Sequence, residues 1–113
     1  MSGVDGGFKA RIVHMILSHE TEEALKELAD CYDVDVPKLE VGLPRGHAHV
    51  AGCYVLGKVT IFVASGEGLT NPFIILHEFY HHLRSVSGRH KGTERYANEF
   101  ARDYLEEYKK RAV

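Results

Sequence analysis

The sequence has little of what marks secreted, membrane-spanning or nucleic-acid-binding proteins. Its two cysteines, Cys31 and Cys53, are too few and too far apart for a disulfide framework or a metal-ligand spacing. No apolar run approaches the roughly 20 residues that cross a bilayer, and the glycine-rich start lacks the basic region of a secretory signal. The net charge of −2 gives no electrostatic case for nucleic acid. We therefore expect a cytoplasmic protein with no membrane span and no nucleic-acid partner.

The length and the patterning of the chain predict one small α+β domain. Its 113 residues suffice for a modest core. Residues 1–7 are expected to be disordered and 108–113 to form a tail, while residues 8–17 fit either a strand or the start of a helix. The expected order is an N-terminal helix, a small and mostly antiparallel three-stranded sheet, then two helices. The first helix would begin at Ser18 or Thr21 and end near Tyr32, and the strand candidates are 39–43, 49–56 and 58–64.

The most informative stretch reads H-E-x-x-H at residues 77–81. His77 and His81 lie about one turn apart on a helix, so both imidazoles project from one face and can bind one zinc ion. Glu78 lies about 100° further round the helix, where it can act as general base toward a water on that zinc. The motif predicts a catalytic site with one zinc ion per chain.

The residues around this motif predict a buried helix. Asn71 is a good N-cap, Pro72 suits the first helical position, and Gly88 fits a C-cap. The almost wholly apolar turn at residues 73–76 is typical of a helix inside the protein. A buried histidine or glutamate is costly without a partner, and metal coordination would supply one. The alternative is an amphipathic helix that carries these polar residues by coincidence.

A second helix, beginning after Thr93, offers a third ligand. A catalytic zinc usually keeps three protein ligands, and Glu94 would complete a set of two histidines and one glutamate. Asn98 lies one turn later and could hydrogen-bond a ligand histidine. Small Ala97 and Ala101 would let the two helices approach closely. Alternatively, Glu94 only complements the helix dipole.

Other polar residues compete for roles in the site. His90 does not fit the metzincin spacing, because Arg84 and Ser87 stand where that pattern needs glycine and histidine. Stabilising the oxyanion of a transition state requires a further donor. His90, Tyr104 and Arg102 are the candidates, and the sequence leaves the choice open.

The motif at 77–81 followed by E-x-x-A-N at 94–98 resembles the gluzincin metallopeptidases. The segments 51–54 and 59–64 ahead of the zinc helix are similar in order to ImmA/IrrE-type peptidase domains, and the short chain is similar to the minigluzincins. The resemblance covers roughly residues 20–107. It implies a zinc metallopeptidase that acts on peptides or proteins, with ligands at His77, His81 and Glu94 and with Glu78 as the base. It also implies that such minimal proteins can be latent, with a terminal segment over the cleft.

The same resemblance suggests where substrate would bind. In metallopeptidases of this kind an edge strand beside the cleft pairs with an extended peptide, and Ala51, Gly52 and Cys53 are small enough to let a backbone approach. The alternative is an ordinary hairpin strand. His47 and His49 would share one face of a strand. There they would contact substrate, bind a second metal or lie in solvent. We expect the thiols of Cys31 and Cys53 to be buried. We expect His82 to lie at the surface or behind the metal ligands.

Other classes of function stay open at this point. The zinc module could be silent or latent, with its cleft filled by residues 1–17 or by the C-terminal segment that holds Tyr104, Tyr108 and the basic tail. It could instead be a regulatory module that binds a repressor or another protein partner. A plain helical domain without metal is the third alternative.

Overall fold

The computed structural model describes residues 4–47, 49–88 and 92–111. This part of the chain forms an α+β fold, as the sequence predicts. Its helices and strands are α1 (Gly6–Leu17), α2 (Thr21–Tyr32), β1 (Lys38–Val41), β2 (Gly52–Val55), β3 (Thr60–Val63), α3 (Pro72–Ser87) and α4 (Glu94–Arg111).

The three strands form a mixed sheet in the order β1-β3-β2. A short 3-10 turn at Leu56–Lys58 joins β2 to β3, so these two strands are antiparallel. The longer connection from β1 crosses to the far edge, so β1 pairs with β3 in parallel. The prediction of a mostly antiparallel sheet is therefore corrected to one parallel and one antiparallel pair. All four residues of β3 are buried, as suits its central place.

The N-terminal segment is helical, which corrects the expectation of disorder over residues 1–7 in the part that is described. Asp5 caps α1 by accepting a hydrogen bond from the Phe8 amide at 2.8 Å, and residues 6 and 7 lie in the first turn. Ile12, Val13 and Ile16 are fully buried. The apolar residues of this segment fit both the alternation of a strand and the period of a helix. Packing against α4 favours the helix.

The helix α2 begins at Thr21, one of the two predicted starts, but without a side-chain cap. The Thr21 hydroxyl donates instead to the carbonyl of Leu69. The inner face of α2 holds Ala24, Leu25 and Leu28. Cys31 is exposed, so the prediction of a buried thiol is wrong there.

The two C-terminal helices begin as the sequence predicts. Asn71 accepts from the Ile74 amide at 3.2 Å, and α3 ends at Ser87 with Gly88 as its C-cap in the left-handed conformation, with φ at 70°. Thr93 accepts from the Tyr96 amide at 3.3 Å. The helix α4 continues to Arg111, so residues 108–111 are helical and not a loose tail.

The core lies between the helices and one face of the sheet. Ala97 and Ala101 are fully buried, which allows α4 to pack closely on α3 and α1. Among the described residues, no helix combines the length and apolarity needed to cross a membrane. The cytoplasmic location stays a prediction. The largest fully buried side chains include Tyr104, Phe79, Ile12, Ile16, Leu25 and Leu28.

Candidate metal centre

Three side chains from two helices converge beside a cleft. His77 and His81 belong to α3, and Glu94 is the first residue of α4. The Nε2 atom of His77 lies 2.7 Å from Oε1 of Glu94 and 3.3 Å from Nε2 of His81. The Nε2 atom of His81 lies 3.1 Å from Oε2 of Glu94. The structure thus brings together the three residues that the sequence predicts as zinc ligands.

The spacing of these donor atoms is compatible with a zinc ion. In tetrahedral coordination with bonds of roughly 2.0–2.1 Å, ligand atoms lie about 3.3 Å apart. The distances of 3.3 Å between the two imidazoles and 3.1 Å from His81 to Glu94 are close to that value. The Glu94 side chain is 73% exposed, so it has room to lengthen its shorter contact with His77. All three donor atoms lie within 4.8 Å of one another.

One buried nitrogen in this group lacks a partner. The Nδ1 atom of His77 is buried and makes no hydrogen bond in the described part of the chain. Zinc-bound histidines usually donate from their other nitrogen to an acceptor, which fixes the ring. Asn98 is half-buried on α4, one turn beyond Glu94. Its predicted hydrogen bond to a ligand histidine is not formed in the structure and stays a prediction for the loaded site.

Burial favours the neutral, ligand-competent form of His81. Burial lowers the pKa of the His81 imidazole, although the Glu94 carboxylate acts in the opposite direction. A neutral imidazole keeps a free lone pair for a metal. His81 therefore needs little proton release before it can bind a cation.

Glu78 lies in the same cleft in a largely dehydrated place. The residue is 7% exposed. Burial raises the pKa of its carboxyl to about 7, and the negative charge of Glu94 adds to the increase. A nearby cation would favour the ionised form. A carboxyl that titrates near neutrality can both accept and release a proton at physiological pH, which is what a general base requires.

The cleft beside these residues has a volume of about 690 Å³. One wall is α3, with Phe73 and Ile74 exposed to the cleft. The other wall is β2 and the loop before it, and there Ala51, Gly52 and Cys53 line the cleft. The three residues predicted to bind substrate therefore face the metal group, that is His77, His81 and Glu94, across the cleft.

Strand β2 is an edge strand that approaches α3 closely. Among the described residues it pairs only with β3, so its outer edge is free to pair with another strand. A Cβ atom at Gly52 would lie 2.9 Å from Ile74 Cγ2 and 3.0 Å from the carbonyl oxygen of Phe62. Only glycine permits this approach, which favours a packing role for Gly52 beside any role in substrate binding.

The cysteine in this strand is only partly buried, whereas the sequence predicts a buried thiol. Cys53 is half-buried, and burial raises the pKa of its thiol, with a further increase from the Glu78 charge. A thiol with a raised pKa is a weak nucleophile. The structure therefore gives no support to a catalytic role for Cys53.

Two candidate oxyanion donors lie elsewhere. Tyr104 is 1% exposed and its hydroxyl lies 2.7 Å from that of Tyr32, inside the core. Arg102 lies on the exposed side of α4 and does not line the cleft. The prediction that either residue supplies the oxyanion donor is not supported by its position. His90 lies outside the described residues.

The segments predicted to fill the cleft do not line it in the described part of the chain. None of the described residues in 4–17 or 104–111 lines the cleft. These segments pack against each other, since α1 contacts α4 along its length. In the part that the structure describes, neither terminal segment acts as the expected plug.

The structure decides the place of three histidines, and both His47 and His49 are exposed, as the solvent alternative expects. His47 lines the cleft from the loop before β2, and His49 lies in the same loop with φ at 75°, so the two do not share a strand face. His82 is fully buried, not at the surface. The sequence did contain a signal for the burial of His82. This residue lies three residues after Phe79 and seven after Ile75, on the same helical face, and both of these are buried.

Comparison of the chain with protein-family models, curated proteins and solved structures finds no match.

Proposed function

We propose that this protein is a zinc-dependent metallopeptidase. The observation that carries the proposal is the convergence of His77, His81 and Glu94 beside the buried carboxyl of Glu78, at the edge of an open cleft. Two imidazoles and one carboxylate form a donor set typical of catalytic zinc. Such a set leaves room for water or substrate.

The chemistry would be divided between the metal and Glu78. When bound, zinc would supply Lewis acidity, polarising a carbonyl and lowering the pKa of a water. Glu78 would accept a proton from the water that attacks the peptide carbonyl and would deliver it to the leaving amine. Its place supports this role, because the carboxyl is largely buried and lines the cleft beside the three proposed ligands.

A peptide is the proposed substrate because of the free edge of β2. An extended peptide can add to such an edge through main-chain hydrogen bonds, and residues 51–53 of this wall line the cleft opposite the metal group. Val50 and Leu56 flank the strand and are exposed apolar residues that also line the cleft. They would contact side chains of the bound peptide.

Metal content tests the first half of the proposal. The purified protein should contain about one zinc ion per chain by plasma mass spectrometry, and His77→Ala and Glu94→Gln should lose it. His14→Ala and Glu99→Gln are matched controls, because both residues are exposed and neither lines the cleft. A wild-type protein that takes up no added zinc would exclude the proposal.

Hydrolysis of labelled peptides and of a denatured labelled protein tests the second half. Glu78→Gln should keep its zinc and lose activity by about 10²- to 10⁴-fold, the usual contribution of a general base. Equal activity in Glu78→Gln and wild type would contradict the assigned role. Zinc binding without hydrolysis of any substrate would favour the alternative, a silent or regulatory zinc module.

A further inference from the structure

The fully buried His82 connects three parts of the fold. Its Nε2 atom lies 2.7 Å from the carbonyl oxygen of Asp35, in the segment between α2 and β1. Its Nδ1 atom lies 2.8 Å from the hydroxyl of Tyr54 in β2. Both nitrogens of one imidazole therefore hold partners from outside α3, directly after the proposed ligand His81.

The chemistry of these partners fixes the direction of both hydrogen bonds. A carbonyl oxygen only accepts, so Nε2 of His82 must carry a proton and donate to Asp35. In the neutral imidazole Nδ1 is then an acceptor, and the Tyr54 hydroxyl donates to it. The rings of Tyr54 and His82 also meet edge-on, with centroids 5.2 Å apart. The pair therefore has both polar and aromatic contact.

Tyr54 is one of the residues through which β2 contacts α3. Gly52 and Tyr54 are two residues apart, so both face the same side of the strand. Gly52 approaches Ile74 of α3, and Tyr54 reaches His82 two turns further along the same helix. Main-chain pairing with β3 supports β2 on one side only. Its distance from α3 thus depends on contacts with that helix, among them the close approach at Gly52 and the hydrogen bond of Tyr54.

We propose that His82 is a positioning residue that tethers β2, through the Tyr54 hydroxyl, to the helix that carries the metal ligands. The tether sets the width of the cleft between β2 and the group at His77, His81 and Glu94. Its consequence for substrate rests on the proposed peptidase function, but the tether itself does not.

Amide hydrogen exchange of the full chain, followed by mass spectrometry, tests the tether without any substrate. Tyr54→Phe keeps the ring and removes the hydroxyl. Peptides covering β2 should exchange roughly threefold to tenfold faster, the change expected from the loss of one hydrogen bond. Zinc content should not change, because no ligand is altered.

A matched control separates positioning from a general loss of stability. Tyr32→Phe also removes one partly buried hydroxyl, which lies 2.7 Å from that of Tyr104. It should leave the exchange of β2 relative to α3 unchanged. If Tyr54→Phe instead accelerated exchange equally in all helices, or left β2 unchanged, the proposed tether would be overturned.

Variants of the histidine give a second test. His82→Gln keeps a donor and an acceptor, whereas His82→Leu has neither, so β2 should exchange faster in His82→Leu than in His82→Gln. With a cleavable peptide in hand, Tyr54→Phe should raise KM more than it lowers kcat, because the strand that holds substrate is loosened while Glu78 is unchanged. Equal exchange of β2 in the two histidine variants would count against the tether even if peptide hydrolysis were never found.

Discussion

The Nε2 atom of His77 lies 2.7 Å from the Oε1 atom of Glu94, 17 residues further along the chain. The two residues belong to different helices, and their contact depends on how closely α4 packs on α3. Buried Ala97 and Ala101 permit that packing, because neither has a side chain beyond Cβ. The metal group is therefore a product of helix packing as much as of the motif in α3.

Asn98→Ala is expected to weaken zinc binding by about tenfold to hundredfold, the usual effect of removing a partner of a ligand histidine. His77 Nδ1 is buried without a partner, and Asn98 lies one turn beyond Glu94 where its amide oxygen could accept from that nitrogen. Competition with a chelator would measure the dissociation constant. Glu99→Ala, at the exposed neighbouring position, is the control. Unchanged affinity in Asn98→Ala would show that His77 is oriented by another group.

Gly52→Ala should destabilise the protein by about 1–3 kcal/mol, as overpacking of a close contact usually does. The new Cβ would meet Ile74 Cγ2 at 2.9 Å and the Phe62 carbonyl oxygen at 3.0 Å. Urea unfolding would measure the free energy. In an Ile74→Ala background the same glycine substitution should cost less, because the first of these two contacts is then absent.

The control for this substitution is Gly57→Ala. A Cβ at Gly57 meets nothing within 4 Å, and its φ is not in the left-handed region. Its free energy of unfolding should stay within a few tenths of a kcal/mol of wild type or rise by up to ~1 kcal/mol. Equal stability of the Gly52→Ala and Gly57→Ala variants would disprove the close approach of β2 to α3.

Deletion of residues 1–17 should unfold the protein rather than activate it. That segment contains Ile12, Val13 and Ile16, which are fully buried. At roughly 1.5–3 kcal/mol each, their burial approaches the ~5–15 kcal/mol that stabilises a typical domain. Circular dichroism would report the loss of helix. A folded truncated protein with a new peptidase activity would instead restore the idea of an N-terminal plug.

Stability should fall as the pH rises from about 10 toward 12, because of Tyr32. Burial raises the pKa of the Tyr32 phenol from 10.0 to about 12. The folded state thus holds this proton more tightly than the unfolded chain, so the associated stability is complete below pH 10 and is lost as the pH passes through the folded value. Urea unfolding at several alkaline pH values would measure this loss.

The variant Tyr32→Phe should show a smaller fall over the same range. The fall should not vanish, because burial also raises the pKa of Tyr104. Wild type and Tyr32→Phe with the same alkaline profile would mean that Tyr32 does not titrate in a buried place.

Features that depend on a few neighbouring residues follow from the amino-acid sequence alone. Asn71, Pro72 and Gly88 set the bounds of α3, since caps act through hydrogen bonds and φ values of adjacent residues. The spacing of His77 and His81 placed both imidazoles on one face, because helix geometry is the same wherever the helix lies.

Features that depend on contacts between distant segments follow from tertiary packing. The apolar residues of 8–17 fit both the two-residue period of a strand and the period of a helix, and packing against α4 favours the helix. Strand β1 is parallel to β3 because the connection after β1 crosses to the far edge of the sheet. Tyr104 lies in the core with its hydroxyl against that of Tyr32, and His82 is hydrogen-bonded to Tyr54 and to the Asp35 carbonyl. Such partners lie 28 to 72 residues away along the chain, where no local period or cap can specify them.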